Sequence, residues 1–282
     1  DSVANPQDNY KKANILIVGP TGSGKTAMVE SVATLLNKPM VTVSAPSISP
    51  NGYVGDRMEH ILERLINIAG LKEAENGIVY IDEVDKLSSK GSGTLGMRTG
   101  IQEELLKILE GCKIKTAKGM INTKNILFIC SGAFAGIEKI SGNKTKSKRI
   151  SLTSAIEPVL EQDNLKIKSE HIQQYGLSAE FVGRFSSIPR LKELNKSVLL
   201  DIANNSKSSP LNRVKKMAQN AGKVIDFSDC FYESIVKTAQ EQKTGARGLN
   251  YASLEVLEDV IFKLDELKDG TIIKNEKVTC ND

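Results

Sequence analysis

Four cysteines, Cys112, Cys130, Cys230 and Cys280, are spread over 282 residues and never form C-x-x-C. That spacing argues against a zinc site and predicts a reducing compartment, the cytoplasm or an organelle matrix. No apolar run approaches the ~20 residues needed to cross a bilayer, so no membrane partner is expected. The polar opening, Asp1 to Lys12, predicts no signal peptide. An excess of one charge is also missing. Thirty-eight basic residues face 34 acidic ones, a net +4, too little to argue for nucleic acid by itself. The basic residues gather in Lys139 to Arg149, KISGNKTKSKR. That segment lacks the interleaved aromatics on which bases stack, so it reads as a solvated loop and a nucleic-acid partner is not expected. There are no internal repeats.

Against these absences stands Asn14 to Thr26, NILIVGPTGSGKT. The apolar run Ile15 to Val18 reads as a buried strand. It leads into Gly19-Pro20-Thr21-Gly22-Ser23-Gly24-Lys25-Thr26, which has the G-x-x-x-x-G-K-[ST] spacing. Glycines let the backbone bend until several N–H groups point inward at phosphates. Lys25 supplies a point charge for the β and γ phosphates. Thr26 offers a hydroxyl to Mg²⁺ and opens a helix whose N-terminus favours an anion. The helix is read from Met28, Val29, Val32, Leu35 and Leu36, and Asn37-Lys38-Pro39 ends it.

Further along, Gly77 to Glu83, GIVYIDE, is an apolar strand closing in two carboxylates. After a phosphate loop this is the other half of an ATPase site. Asp82 would hold Mg²⁺ through its water shell, and Glu83 would orient and polarise the attacking water. Met40 to Ser44 and Asn125 to Ser131 are two more strands. Arg57 to Gly70 is a helix with Met58, Ile61, Leu62, Leu65, Ile66 and Ala69 on one face. Ser88 to Gly100 reads as a loop, Ile101 to Leu109 as a helix, and Gly111 to Lys124 as a hairpin or loop. Strand–helix alternation predicts a parallel α/β sheet flanked by helices with right-handed crossovers. Composition shifts at Leu191 to Asn195, which predicts a large domain over 1–190 and a small, mainly helical α+β domain over 191–282. In the latter, Leu199 to Ala221 is helical with a break near Pro210. Lys223 to Phe227 is a short strand. Ser228 caps a helix over Asp229 to Gln242. Leu254, Leu257, Val260, Ile261 and Leu264 mark a last amphipathic helix, and Gly270 to Cys280 can supply a strand pair.

Between the second strand and the next helix lies Gly52-Tyr53-Val54-Gly55, an aromatic and a β-branched residue between glycines. By itself this is either a turn with a tyrosine folded onto the surface or an exposed aromatic on a hinge, able to grip something and move.

Taken in order, GPTGSGKT, GYVG, GIVYIDEVDK, GIQEELLKILEG, ILFICSGAFAGIEKI, YGLSAEFVGRF and KTGARGL resemble the ClpX family of AAA+ protein unfoldases. The likeness runs from about Asn14 to Arg190 and resumes at Gly245. The resemblance implies a P-loop NTPase fold, ATP and Mg²⁺ as cofactors, a hexameric homo-oligomeric ring and polypeptide substrates drawn through its pore. It implies that Tyr53, with Gly52, Val54 and Gly55, is the pore loop that grips the chain. It implies that Arg184 is an arginine finger reaching the nucleotide of the neighbouring subunit. Arg247 would be the sensor arginine that touches its own nucleotide, and Ser131 would lie at the sensor position after the fourth strand.

Several family features are missing from the pattern. There is no cysteine-ligated zinc domain, and too few residues precede Asn14 for the family's adenine-contacting helices. Ser141 to Leu160 carries no Ile-Gly-Phe, the tripeptide that docks on a peptidase. The Arg-Lys-His pore element is replaced by a short segment around Lys118-Gly119-Met120, similar to the relative HslU. HslU's inserted domain after GYVG is absent, and Val278 to Asp282 does not resemble its docking tail. A peptidase partner is therefore left open. Two other functions remain in view: a loader acting on nucleic acid through Lys139 to Arg149, and a nucleotide-binding adaptor with little turnover.

Overall fold

The computed structural model describes residues 13–49, 56–90, 95–142, 166–206, 209–242, 244–263 and 270–273. They form two compact units. The first contains Lys25–Leu191 and the residues up to Gly19; the second contains Lys192 onward together with Pro20–Gly24 of the phosphate loop.

In chain order the first unit runs β1 (Asn14–Val18), α1 (Lys25–Leu35), β2 (Met40–Ser44), α2 (Met58–Ala69), α3 (Leu71–Ala74), β3 (Ile78–Asp82) and α4 (Leu95–Glu110). It continues with β4 (Lys113–Thr116), β5 (Gly119–Asn122), β6 (Leu127–Gly132), α5 (Ile137–Gly142), α6 (Ser169–Tyr175), α7 (Ala179–Val182) and β7 (Phe185–Ser187). Five strands make one sheet in the order β2-β3-β6-β1-β7, and every pairing in it is parallel. The expected parallel α/β sheet is therefore what forms. Its inner strands, ILIV, IVYI and LFICSG, are near-continuous apolar runs because both faces are covered, whereas edge strand β2 alternates.

Side-chain alternation divides the core in two. Leu16, Val18, Val79, Ile81, Phe128 and Cys130 pack on one face with α2 and α4 residues such as Leu62, Leu65 and Leu105. Ile17, Ile78, Tyr80 and Ile129 pack on the other with Val29 and Ala33 of α1. The α1 face differs from the periodic set read in the sequence. Lys25, Val29 and Ala33, spaced by four, are buried, whereas Met28, Val32, Leu35 and Leu36 are exposed. An eleven-residue helix lying on a sheet buries one narrow stripe. Here that stripe is set by Lys25, which the loop places inward. On α2 the expected face is buried from Met58 to Ile66.

Helix α4 starts at Leu95, earlier than the Gly/Ser-rich composition suggested. Within it Gln102 is buried, donating to Leu87 O at 2.8 Å and accepting from Ser178 N at 2.9 Å, so its amide is a satisfied internal tie. The segment Gly111–Lys124 is a hairpin, with β4 and β5 antiparallel. The loop expected from Lys139 is helical as far as Gly142; positions 143–165 lie outside the described residues, and so does Gly52-Tyr53-Val54-Gly55.

The second unit contains α8 (Lys196–Asn205), α9 (Pro210–Asn220), β8 (Ile225–Phe227), α10 (Asp229–Glu241), α11 (Ala246–Phe262) and β9 (Thr271–Ile273). Ser228 caps α10 by accepting from Phe231 N at 3.3 Å. Strands β8 and β9 pair in parallel. Leu199, Leu211, Phe227, Phe231, Ile235, Leu257 and Val260 fill its core, while Leu254 and Ile261 stay exposed. Among the described residues no helix is long and apolar enough to cross a membrane. Cys112 and Cys130 are free thiols, whereas Cys230 is disulfide-bonded. Burial pushes the Cys130 thiol up, out of reach of thiolate chemistry.

Candidate nucleotide site

The parallel sheet fixes where chemistry can occur. Loops leaving the carboxyl ends of β1, β3 and β6 share one edge, the place where such sheets bind ligands. From β1 the backbone enters Gly19-Pro20-Thr21-Gly22-Ser23-Gly24, with Gly22 at φ 76° and Gly24 at φ 85°. Both values lie in the left-handed region that favours glycine. Gly19 N donates to Gly132 O at 3.2 Å, tying the loop to the end of β6. Lys25 is buried and its Nζ donates to Gly19 O at 2.9 Å, so the ammonium sits inside the curl of the loop.

Three observations fit this loop to a polyphosphate. Ser23 Oγ is buried without a protein partner. A Cβ on Gly24 would meet open space, so nothing of the protein blocks approach to the loop there. The eleven-residue helix α1 starts at Lys25, aiming its free N–H groups there. Within the second unit, Pro20, Gly22, Leu194, Leu199, Ala239 and Gly245 line a cavity of about 170 Å³. There Ala246 N donates to Gly22 O at 3.0 Å, which places exposed Arg247, the next residue, in the first turn of α11.

A Cβ on Gly22 would lie 2.0 Å from Thr244 O. Gly22→Ala therefore combines a backbone clash with a left-handed φ costing ~1–2 kcal/mol for an L-residue. We expect it to weaken ATP binding at least tenfold, measured by calorimetry.

Asp82 and Glu83 stand at the end of β3. Glu83 is exposed and adopts φ 61°. Residues outside glycine pay a strain of ~1–3 kcal/mol in such conformations, which cluster at functional sites. Ser44 Oγ donates to Glu83 Oε2 at 3.1 Å, and Glu83 N donates to Asp82 Oδ1 at 2.9 Å. Ser131, fully buried at the end of β6, donates its hydroxyl to the same Asp82 oxygen. Tyr80 Oη lies 2.7 Å from Ser131 Oγ and 3.4 Å from Thr26 Oγ1. Burial raises the Tyr80 phenol above its ordinary value, keeping it protonated and able to donate. Next to these, Asp85 is also buried, and that burial raises its pKa. It accepts from Phe134 N at 3.3 Å, holding the β6–α5 turn where Phe134 takes φ 46°.

Lys25, Thr26, Asp82, Glu83 and Ser131 thus converge on one sheet edge. Arg184 does not. It precedes β7, whose first residue pairs with Asn14 at the start of β1, so it sits at the opposite edge from the phosphate loop. Five strand residues at ~3.3 Å each put ~16 Å between those edges. Arg184 is half-exposed and ion-paired with Glu110 at the end of α4. The buried Asn14 amide donates to Leu109 O and to Arg184 O, both at 3.2 Å, which pins the backbone on either side of the pair. Ser44, Tyr80, Asp85, Glu110 and Asn14 were not singled out from sequence. Tyr80 had one signal, its two-residue spacing from Asp82, which puts both on the same strand face.

A loop of this kind and acidic strand end, on a 2-3-6-1-7 parallel sheet, define a P-loop NTPase of the AAA class. Residues 10–188 match the family model described as AAA domain (Cdc48 subfamily). The chain is 35% identical over 274 residues to the ATP-dependent Clp protease ATP-binding subunit ClpX of Bacteroides thetaiotaomicron, covering 90% of this chain and 66% of that one. It is 32% identical to ClpX of Azotobacter vinelandii, covering 92% and 63%, and 33% identical to ClpX 2 of Wolinella succinogenes, covering 93% and 68%. This chain belongs to the ClpX family of AAA+ proteins. It spans a little under two thirds of the length of the first two relatives.

Proposed function

We propose that this chain is the motor part of an ATP-dependent protein unfoldase. The carrying observation is the convergence of Lys25, Thr26, Asp82 and Glu83 at one sheet edge beside an open, left-handed glycine loop. Residues 1–190 form the nucleotide-binding large domain and 191–282 the small domain. Gly19 to Gly24 wrap the phosphates with backbone N–H groups, and Lys25 exchanges Gly19 O for the β and γ oxygens. Thr26 and Asp82 would hold Mg²⁺, which when bound would neutralise phosphate charge. Glu83 leaves Ser44 to take a proton from the attacking water. Ser131 acts through Asp82, to which it donates.

Arg184 lies too far from its own loop to serve it, which supports action in trans on the nucleotide of a neighbouring subunit and hence a ring, six-membered in the resemblance. Arg247, on the residue after Ala246, reads the nucleotide of its own chain and links turnover to domain motion. Tyr53, with Gly52, Val54 and Gly55, grips polypeptide in the pore. The relatives' names, ATP-binding subunits of a Clp protease, support a peptidase partner, although the family's docking tripeptide has no counterpart here. The relatives are bacterial, which supports a cytoplasmic location.

Tyr53→Ala tests the pulling step. ATP turnover should stay within about twofold of the unsubstituted chain while unfolding of a tagged folded substrate is lost. Undiminished unfolding would remove the pore-loop role. An unsubstituted chain that binds ATP without turning it over would instead be a nucleotide-binding adaptor.

A further inference from the structure

Sheet register puts three hydroxyls and one carboxylate in a line. Tyr80 and Asp82 point to the same side of β3 because they are two residues apart. β6 pairs with β3 as Tyr80↔Ile129 and Ile81↔Cys130, so the next residue, Ser131, falls beside Asp82. The end of α1 that carries Thr26 lies over the same side. Hence the contacts Thr26–Tyr80 at 3.4 Å, Tyr80–Ser131 at 2.7 Å and Ser131–Asp82.

Proton counting gives this line a direction. Each hydroxyl has one proton to donate and lone pairs to accept with. Ser131 gives its proton to Asp82. The proton between Tyr80 and Ser131 must then come from Tyr80. The proton between Thr26 and Tyr80 must in turn come from Thr26. Thr26 is left with its lone pairs facing away from Tyr80, which is the state a hydroxyl needs in order to ligate a cation. At the other end Asp82 Oδ1 is engaged by Ser131 and by Glu83 N, which fixes the carboxylate and leaves Oδ2 for the ion's water shell.

We propose that Tyr80 and Ser131 form a hydroxyl relay that orients the Thr26 lone pairs and the Asp82 carboxylate toward a divalent cation, which makes Tyr80 a positioning residue of the site. It touches no nucleotide: it is fully buried, in the core between the sheet and α1. Its ring fills that core and its hydroxyl alone serves the relay, so the two roles separate in Tyr80→Phe. The inference rests on the reading of Thr26 and Asp82 as the Mg²⁺ residues.

The test uses the full chain with ADP and Mn²⁺ as the probe, the ion being followed by electron paramagnetic resonance. Metal-free ADP affinity is measured by calorimetry in EDTA. Tyr80→Phe should weaken Mn²⁺ binding to the ADP complex ~10-fold, the low end for loss of an outer-shell partner, and leave metal-free ADP affinity unchanged. Ser131→Ala should do the same. The double variant should be no worse than either single one, because both break the same line. A general packing defect would instead weaken ADP with and without metal. Unchanged Mn²⁺ affinity in either folded single variant overturns the relay. Thr26→Ala and Asp82→Asn separate the two levels. If they lower Mn²⁺ affinity and Tyr80→Phe does not, the relay alone fails. If they too leave it unchanged, the Mg²⁺ reading fails with it. Should Tyr80→Phe not fold, Ser131→Ala decides.

Discussion

Arg184→Ala should lower ATP turnover by about 10³-fold, the lower end of what a trans-acting arginine contributes to phosphoryl transfer, with ATP affinity nearly unchanged. The expectation comes from where the residue sits. The guanidinium is at the opposite sheet edge from the phosphate loop of its own chain, half-exposed, and its partner is Glu110. An exposed pair of this kind holds by ~0.2–1 kcal/mol, so a neighbour's triphosphate can draw Arg184 away. The backbone beneath it cannot follow, because the buried Asn14 amide grips the carbonyls of Leu109 and Arg184. Truncation at Cβ therefore removes the charge without disturbing the fold, and the melting temperature should move little.

A mixing experiment turns this into a test of geometry. Arg184→Ala and Glu83→Gln chains are each expected to be nearly inactive. In a mixed ring, some interfaces combine Glu83 of one chain with Arg184 of the next, and those should hydrolyse ATP. Recovery of turnover on mixing would require the arginine to act across an interface. No recovery, with mixed assemblies demonstrated by a size tag, would mean that Arg184 works within its own chain or not at all.

How much of this was legible beforehand varied with the range of the interaction. The phosphate loop and Asp82-Glu83 could be read because each is a contiguous segment whose chemistry is carried by its own residue types. Strands β1, β3 and β6 were legible for a related reason, because parallel strands buried on both faces are near-continuous apolar runs; the three-residue β7, with two exposed serines, was not. The Tyr80–Ser131–Asp82 line could not be read, since it depends on the register of β3 against β6, which no local spacing encodes. The buried stripe of α1 was misjudged because two stripes of the helix are apolar, and only the sheet decides which is covered. Gln102 and Asn14 escaped notice because nothing in its sequence neighbourhood marks an amide as buried; its distant carbonyl partners, Leu87, Leu109 and Arg184, do.

Glu83→Gln should abolish turnover while keeping ATP bound. The side chain is exposed, and among the described residues it is Ser44 Oγ that donates to its Oε2. A glutamine carbonyl accepts that bond equally well, and the left-handed backbone at position 83 is the same for both residues. Neither stability nor the shape of the site should change. What glutamine lacks is basicity toward the attacking water, a contribution of ~10²–10⁴ in rate. In the proposed site the phosphates are held by Gly19 to Thr26, which the substitution does not touch. Turnover and affinity should therefore separate, with kcat lost and ATP affinity kept. The same variant then reports on assembly. If Arg184 is recruited by a neighbour's triphosphate, stalled ATP should stabilise the interface, and light scattering should show a shift from monomer to roughly six subunits on adding Mg-ATP. A variant that binds ATP and stays monomeric would deny this chain, as a separate piece, the interface that Arg184 needs. A variant that still hydrolyses ATP at the original rate would move the catalytic base away from Glu83.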